Sequence, residues 1–77
     1  MLLDIISPDK KIFSGEVEAI VVPGTEGSIG ILNHHAPLIS TLDAGQVKVT
    51  NGQKDEFYDI KGGVVEVLNN KVIILAE

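Results

Sequence analysis

Gln46-Val47-Lys48-Val49-Thr50-Asn51-Gly52 alternates polar and apolar residues and then meets a pair that favours a sharp reversal. Successive side chains of a strand point to opposite faces, so Val47 and Val49 belong inside and Gln46, Lys48 and Thr50 in water. Asn and Gly both tolerate positive φ, which makes Asn51-Gly52 a hairpin signal, with residues 55–61 as the returning strand. The pattern repeats outward from this hairpin. Toward the C-terminus, Gly62-Gly63 marks a bend or bulge, and residues 64–68, the turn Asn69-Asn70 and residues 71–76 form another hairpin. Toward the N-terminus, residues 2–6, 12–13, 16–22, 28–32 and 38–42 read as strands, with Gly, Pro and Asp marking the breaks. Within 16–22, Val17, Ala19 and Val21 share one face, and Ile20 and Val22 the other, so this strand runs from half-exposed to buried. No stretch carries capped helical periodicity. The expectation is one domain, 1–77, with an all-β fold: an antiparallel β-sandwich of about ten short strands.

Composition narrows the function classes. Nineteen of 77 residues are Val or Ile, which pack well on a pleated surface. There is no Cys, so no disulfide framework and no thiolate metal site. The longest apolar run, residues 72–76, is too short to span a bilayer, and the start Met1-Leu2-Leu3-Asp4 does not read as a signal peptide. The formal net charge is −5 and the lysines are scattered, which argues against nucleic acid as a partner. Three aromatic residues, Phe13, Phe57 and Tyr58, do not make a base-stacking platform.

Motifs that carry chemistry are sparse. Gly24, Gly27 and Gly30 are spaced as in a phosphate loop, but no helix, Lys or Ser/Thr follows in the positions such a loop requires. The glycines therefore read as turn and close-approach positions. His34 and His35 are adjacent, their rings directed apart in an extended chain, and spacing supplies no third ligand, so no metal site is expected. Ser7, Ser14, Ser28 and Ser40 lack a nucleophile context, and no catalytic residue or cofactor site is assigned. What remains is a binding surface. The turn 25–28 and the loop 33–37 are expected to form one tip carrying Glu26, His34 and His35, with pH-dependent charge at the histidine pair. Another class, a lipoyl- or biotinyl-type carrier domain, would need a lysine at a hairpin tip with distinctive flanks; Lys10-Lys11, Lys54 and Lys71 are the candidates, and none stands in the distinctive context of that class, Met1 being the single methionine.

Residues 15–38 resemble the epsilon subunit of F-type ATP synthases. The resemblance is carried by Phe13-Ser14-Gly15-Glu16-Val17-Glu18, by the glycine-spaced segment from Gly24 to Gly30, by His35-Ala36-Pro37-Leu38, and by the run from Lys61 to Ala76. It implies a ten-stranded sandwich in the rotor's central stalk: a non-catalytic subunit coupling rotation of the c-ring, driven by a proton or sodium gradient, to the gamma subunit and hence to ATP synthesis. It implies c-ring contact through Glu26, Gly27, Ser28 and His35, and gamma contact through Ser7, His35 and Ser40. Family members commonly carry an acid where Ser28 stands and Pro-Gly where Asn33-His34 stands, so Glu26 is left as the charge partner for basic ring loops. No cofactor is implied, and the expected place is the cytoplasmic face of a bacterial inner membrane, peripheral through the complex. Because the chain stops at Glu77, the helical C-terminal domain of typical members, their inhibitory element, is expected to be missing.

Overall fold

The computed structural model describes residues 1–77 and contains nine strands and no helix. They are β1 (Leu2–Ile6), β2 (Lys11–Glu16), β3 (Ala19–Gly24), β4 (Gly27–Leu32), β5 (Leu38–Leu42), β6 (Gly45–Asn51), β7 (Lys54–Ile60), β8 (Gly63–Leu68) and β9 (Lys71–Ala76). One layer runs β2-β1-β9-β8-β5 and the other β4-β3-β6-β7. The ladder passes between them only where Gly24 of β3 pairs with Leu42 of β5. Every pair is antiparallel except β1 with β9, in which Leu2 pairs with Lys71 and Ile6 with Leu75. This parallel pair joins the first strand to the last, a non-local contact that sequence alternation does not encode.

The central hairpin stands as expected, with Val47 and Val49 fully buried. Its turn sits one residue later than the Asn51-Gly52 signal, because Asn51 pairs with Lys54 and leaves Gly52-Gln53 at the tip. Gly52 supplies the positive φ of 68°. In the β8–β9 hairpin Leu68 pairs with Lys71, and both tip residues, Asn69 and Asn70, have φ near 50–60°. Two left-handed residues match the strand twist, and Asn reaches that region more readily than other side chains.

Residues 16–22 are not one strand. β2 ends at Glu16 and β3 begins at Ala19, so the chain changes layers at Val17-Glu18. The crossing inverts the alternation: Val17 is buried on one side of it, while Ile20 and Val22 are buried beyond it and Val21 lies exposed. Sixteen apolar residues form the core between the layers, and no polar side chain is buried. Phe13 of β2 and Tyr58 of β7, with ring centroids 5.6 Å apart and planes tilted by 58°, close the side where the two outer strands meet.

Gly63 shows how tightly β8 and β9 close. Its φ is +147°, and a Cβ built there would lie 2.1 Å from the carbonyl oxygen of Leu75. Only glycine fits.

Candidate functional site

The strand directions sort the loops into two ends. Residues 7–10, 25–26, 43–44 and 61–62 lie at one end, whereas 33–37, 52–53 and 69–70 lie at the other. β4, six residues long, separates the turn 25–26 from the loop 33–37 by roughly 20 Å of extended chain. The single tip expected from their closeness in sequence is therefore not formed. Glu26 and the two histidines sit at opposite ends of the sandwich, because a strand between two loops carries them apart.

At the first end, Pro23 pairs with Ser28 and Gly24 with Gly27, which leaves Thr25 and Glu26 as the tip. Gly24 permits this sharpness, since a Cβ there would lie 2.6 Å from the carbonyl oxygen of Gly27. Glu26, Gly27 and Ser28 are all exposed. The turn is tied to the other layer: the Thr25 N–H donates to the Thr41 carbonyl at 3.1 Å, and the Asp43 N–H donates to the Pro23 carbonyl at 2.8 Å. The Thr25 and Thr41 hydroxyls are 2.9 Å apart and share a hydrogen bond. Ser7 lies at this same end and closes the 7–10 turn, its hydroxyl donating to the Lys10 carbonyl at 3.1 Å. Ser40 is half-buried on β5 and donates to the Thr41 carbonyl at 3.1 Å.

His35 belongs to the far end. It is half-buried, with Nδ1 2.6 Å from the Ala36 carbonyl, which places the proton on Nδ1 and leaves Nε2 free. His34 takes φ +63°, and its N–H donates to the Asn70 side-chain oxygen at 2.8 Å. The position where the resembling family carries glycine is thus in a glycine-type conformation here, held open by Asn70. No three His, Asp or Glu side chains are gathered for a metal ion. Of the sequence-predicted residues, Glu26, Gly27 and Ser28 form one turn, Ser7 shares that end of the sandwich on the other layer, Ser40 lies between the ends, and His35 is set apart.

The residues that sequence reasoning missed lie on the outer face of the five-stranded layer. Ile6, Leu75 and Val64 stand side by side across β1, β9 and β8, and the next row runs Asp4, Ile73, Glu66 and Ile39. Ile39 is 73% exposed, Leu75 54% and Leu68 51%. Ile6, Ile39, Val64, Glu66, Ile73 and Leu75 line one shallow groove. The signal was present in the sequence as consecutive apolar residues within strands: Ile5-Ile6, Val64-Val65 and Ile73-Ile74-Leu75. A strand that must show one face to water alternates; one that is apolar on successive residues has two faces to cover. At the edge of this face the Asp4 carboxyl is held below its ordinary value by a hydrogen bond from Ser14, against a smaller desolvation effect and with help from Lys11 and Lys71.

A closed sandwich that leaves large apolar side chains exposed on one sheet face and presents a fastened polar turn at one end has the build of a docking domain. The sequence model of the ATP synthase delta/epsilon chain beta-sandwich domain matches residues 1–77, and the chain belongs to that family. It is 44% identical over 75 residues to the ATP synthase epsilon chain of Leptospira borgpetersenii serovar Hardjo-bovis, covering 97% of this chain and 59% of that one. With the ATP synthase epsilon chain of Dichelobacter nodosus it shares 48% identity over 75 residues, covering 95% of this chain and 52% of the relative. A chain in the Euglena gracilis mitochondrial ATP synthase (OSCP/F1/c-ring, rotational state 1) superposes with a TM-score of 0.92 at 30% identity, over 99% of this chain and 49% of its own. One from the Tetrahymena thermophila mitochondrial ATP synthase central stalk and c-ring superposes at 0.85 over 99% of this chain and 62% of its own, and at 20% identity it bears on the fold alone. The chain spans between 52% and 59% of the length of these two curated relatives. No helix is long and apolar enough to cross a membrane. Of the candidate lysines of a carrier domain, Lys54 and Lys71 sit beside hairpin tips rather than on them, paired with Asn51 and Leu68, whereas Lys10 lies in the 7–10 turn.

Proposed function

We propose that this chain is the sandwich domain of a non-catalytic central-stalk subunit of an F-type ATP synthase, coupling c-ring rotation to the gamma subunit. The observation that carries the reading is the apolar outer face of the five-stranded layer, which belongs to a family of stalk domains and has no partner within the chain. A patch of this kind marks a protein–protein contact. We assign it to gamma, with Ser7 at the border of the patch; Ser40, which pairs with the buried Val65, lies on the other face of β5 and contributes no side chain to the patch. The exposed turn of Glu26, Gly27 and Ser28 is assigned to the ring. With Ser28 in place of an acid, Glu26 supplies the single carboxylate of that turn, which suits basic loops on the ring.

His35 lies at the other end of β4 and cannot share one small footprint with Glu26, so its contact is with gamma. The complex sits peripherally at the cytoplasmic face of a bacterial membrane, with protons or sodium ions as the driving species. The supporting experiment reverses one charge. Glu26→Lys in the assembled synthase is expected to lower gradient-driven ATP synthesis while leaving co-purification with gamma intact. Unchanged coupling would remove Glu26 from the ring contact.

A further inference from the structure

Two sheets packed face to face transmit a push on one to the other through the core and through whatever joins their edges. In this fold the ladder between layers is reduced to one pair, Gly24 with Leu42, directly behind the turn that presents Glu26. Around that pair three further bonds converge. Thr41 accepts from the Thr25 N–H at 3.1 Å, the Asp43 N–H reaches the Pro23 carbonyl at 2.8 Å, and the Thr25 and Thr41 hydroxyls meet at 2.9 Å. Thr41 in turn pairs with Val64 across β5 and β8, and Val64 pairs with Leu75 across β8 and β9. A short path therefore leads from Glu26 through Thr25, Thr41 and Val64 to Leu75, that is, from the polar turn to the apolar groove.

We propose that Thr41 is a positioning residue whose hydroxyl fixes the Thr25-Glu26 turn to the five-stranded layer, so that load taken at Glu26 is delivered to the apolar face. This rests on the reading of Glu26 as the ring contact and of the apolar face as the gamma contact. The backbone bonds locate the turn; the hydroxyl pair limits its swing. Both threonines are exposed, so the pair competes with water. Its loss raises the population of the detached turn by a factor of roughly three to ten, the usual range for one hydrogen bond.

Thr41→Val keeps the shape and strand preference of the residue and replaces the hydroxyl with a methyl group that cannot hydrogen-bond. In the chain itself, amide exchange at Thr25 and Asp43 is expected to speed up by that factor of roughly three to ten, with exchange at core amides such as Val49 unchanged. In the assembled synthase, ATP-driven ion pumping per ATP hydrolysed is expected to fall. Thr41→Ser, which restores a hydroxyl, should return both readouts to wild type. Unchanged pumping in Thr41→Val, or a Thr41→Ser protein that behaves like Thr41→Val, would overturn the proposal. Glu26→Lys in the same membranes separates the two levels. If it impairs pumping and Thr41→Val does not, the strut alone is wrong; if neither does, the ring contact falls as well.

Discussion

Replacing Gly63 by alanine forces a Cβ into the seam between β8 and β9. At φ +147° the residue occupies a region that side chains rarely enter, which costs about 1–3 kcal/mol. The added carbon would also sit 2.1 Å from the Leu75 carbonyl oxygen and 3.1 Å from the Ala76 Cα. Those are backbone atoms of the neighbouring strand, so no side-chain rotation relieves the contact and β9 must move. Overpacking of this kind costs a further 1–3 kcal/mol or so, for a total of about 2–6 kcal/mol. A 77-residue domain has on the order of 4–12 kcal/mol of stability at the usual per-residue range. Gly63→Ala therefore consumes a large share of the stability and leaves a measurable unfolded population at its upper limit. Urea unfolding followed by circular dichroism measures the change. Gly30→Ala is the control, because no atom lies within 4 Å of its Cβ position and its φ is ordinary. If Gly63→Ala unfolds within about 0.5 kcal/mol of Gly30→Ala, the range of an inert surface change, the close approach of β8 and β9 is wrong.

His34→Gly should stabilise the domain by up to about 1 kcal/mol, since removing the cost of about 1–2 kcal/mol of a side chain at φ +63° outweighs the greater unfolded-chain entropy of glycine, about 0.5–1 kcal/mol; thermal melting checks the sign. Tyr58, the single tyrosine, has its pKa raised above 10.0 by desolvation and then by Glu56. The folded state therefore holds the proton more tightly. Stability from this group is complete below the unfolded value near 10.0 and is lost as pH climbs through the higher folded value. Ultraviolet titration should show ionisation later in folded than in urea-unfolded protein, and Tyr58→Phe should flatten the alkaline fall in stability.

The strands were legible where one face is wet and the other dry, as in Val47 and Val49, and where turn chemistry is local, as in Asn69-Asn70. Three features were not. The break at Val17-Glu18 hides in an unbroken β pattern, because a layer crossing needs no Gly or Pro when both sides of it can be buried. The parallel pairing of β1 with β9 joins residues some seventy positions apart, for example Leu2 and Lys71, and no local signal reports it. The site suffered from the opposite error, a local assumption where distance mattered. Glu26 and His35 are nine positions apart in the chain, but six of the intervening residues are extended as β4 and carry them to opposite ends. The apolar face was written in the doubled residues Val64-Val65 and Ile73-Ile74. Buried-core demand explains Val65 and Ile74, and only the outward members, Val64 and Ile73, point to a partner.

The chain has no cysteine of its own, so single cysteines report their neighbours without background. Glu26→Cys and Ile39→Cys, placed in the assembled synthase and treated with a short cross-linker, test the separation of the two contacts most directly. Glu26→Cys is expected to join the c-ring and Ile39→Cys to join gamma. Capture of gamma alone by both positions, or of neither partner by Ile39→Cys, would contradict this expectation.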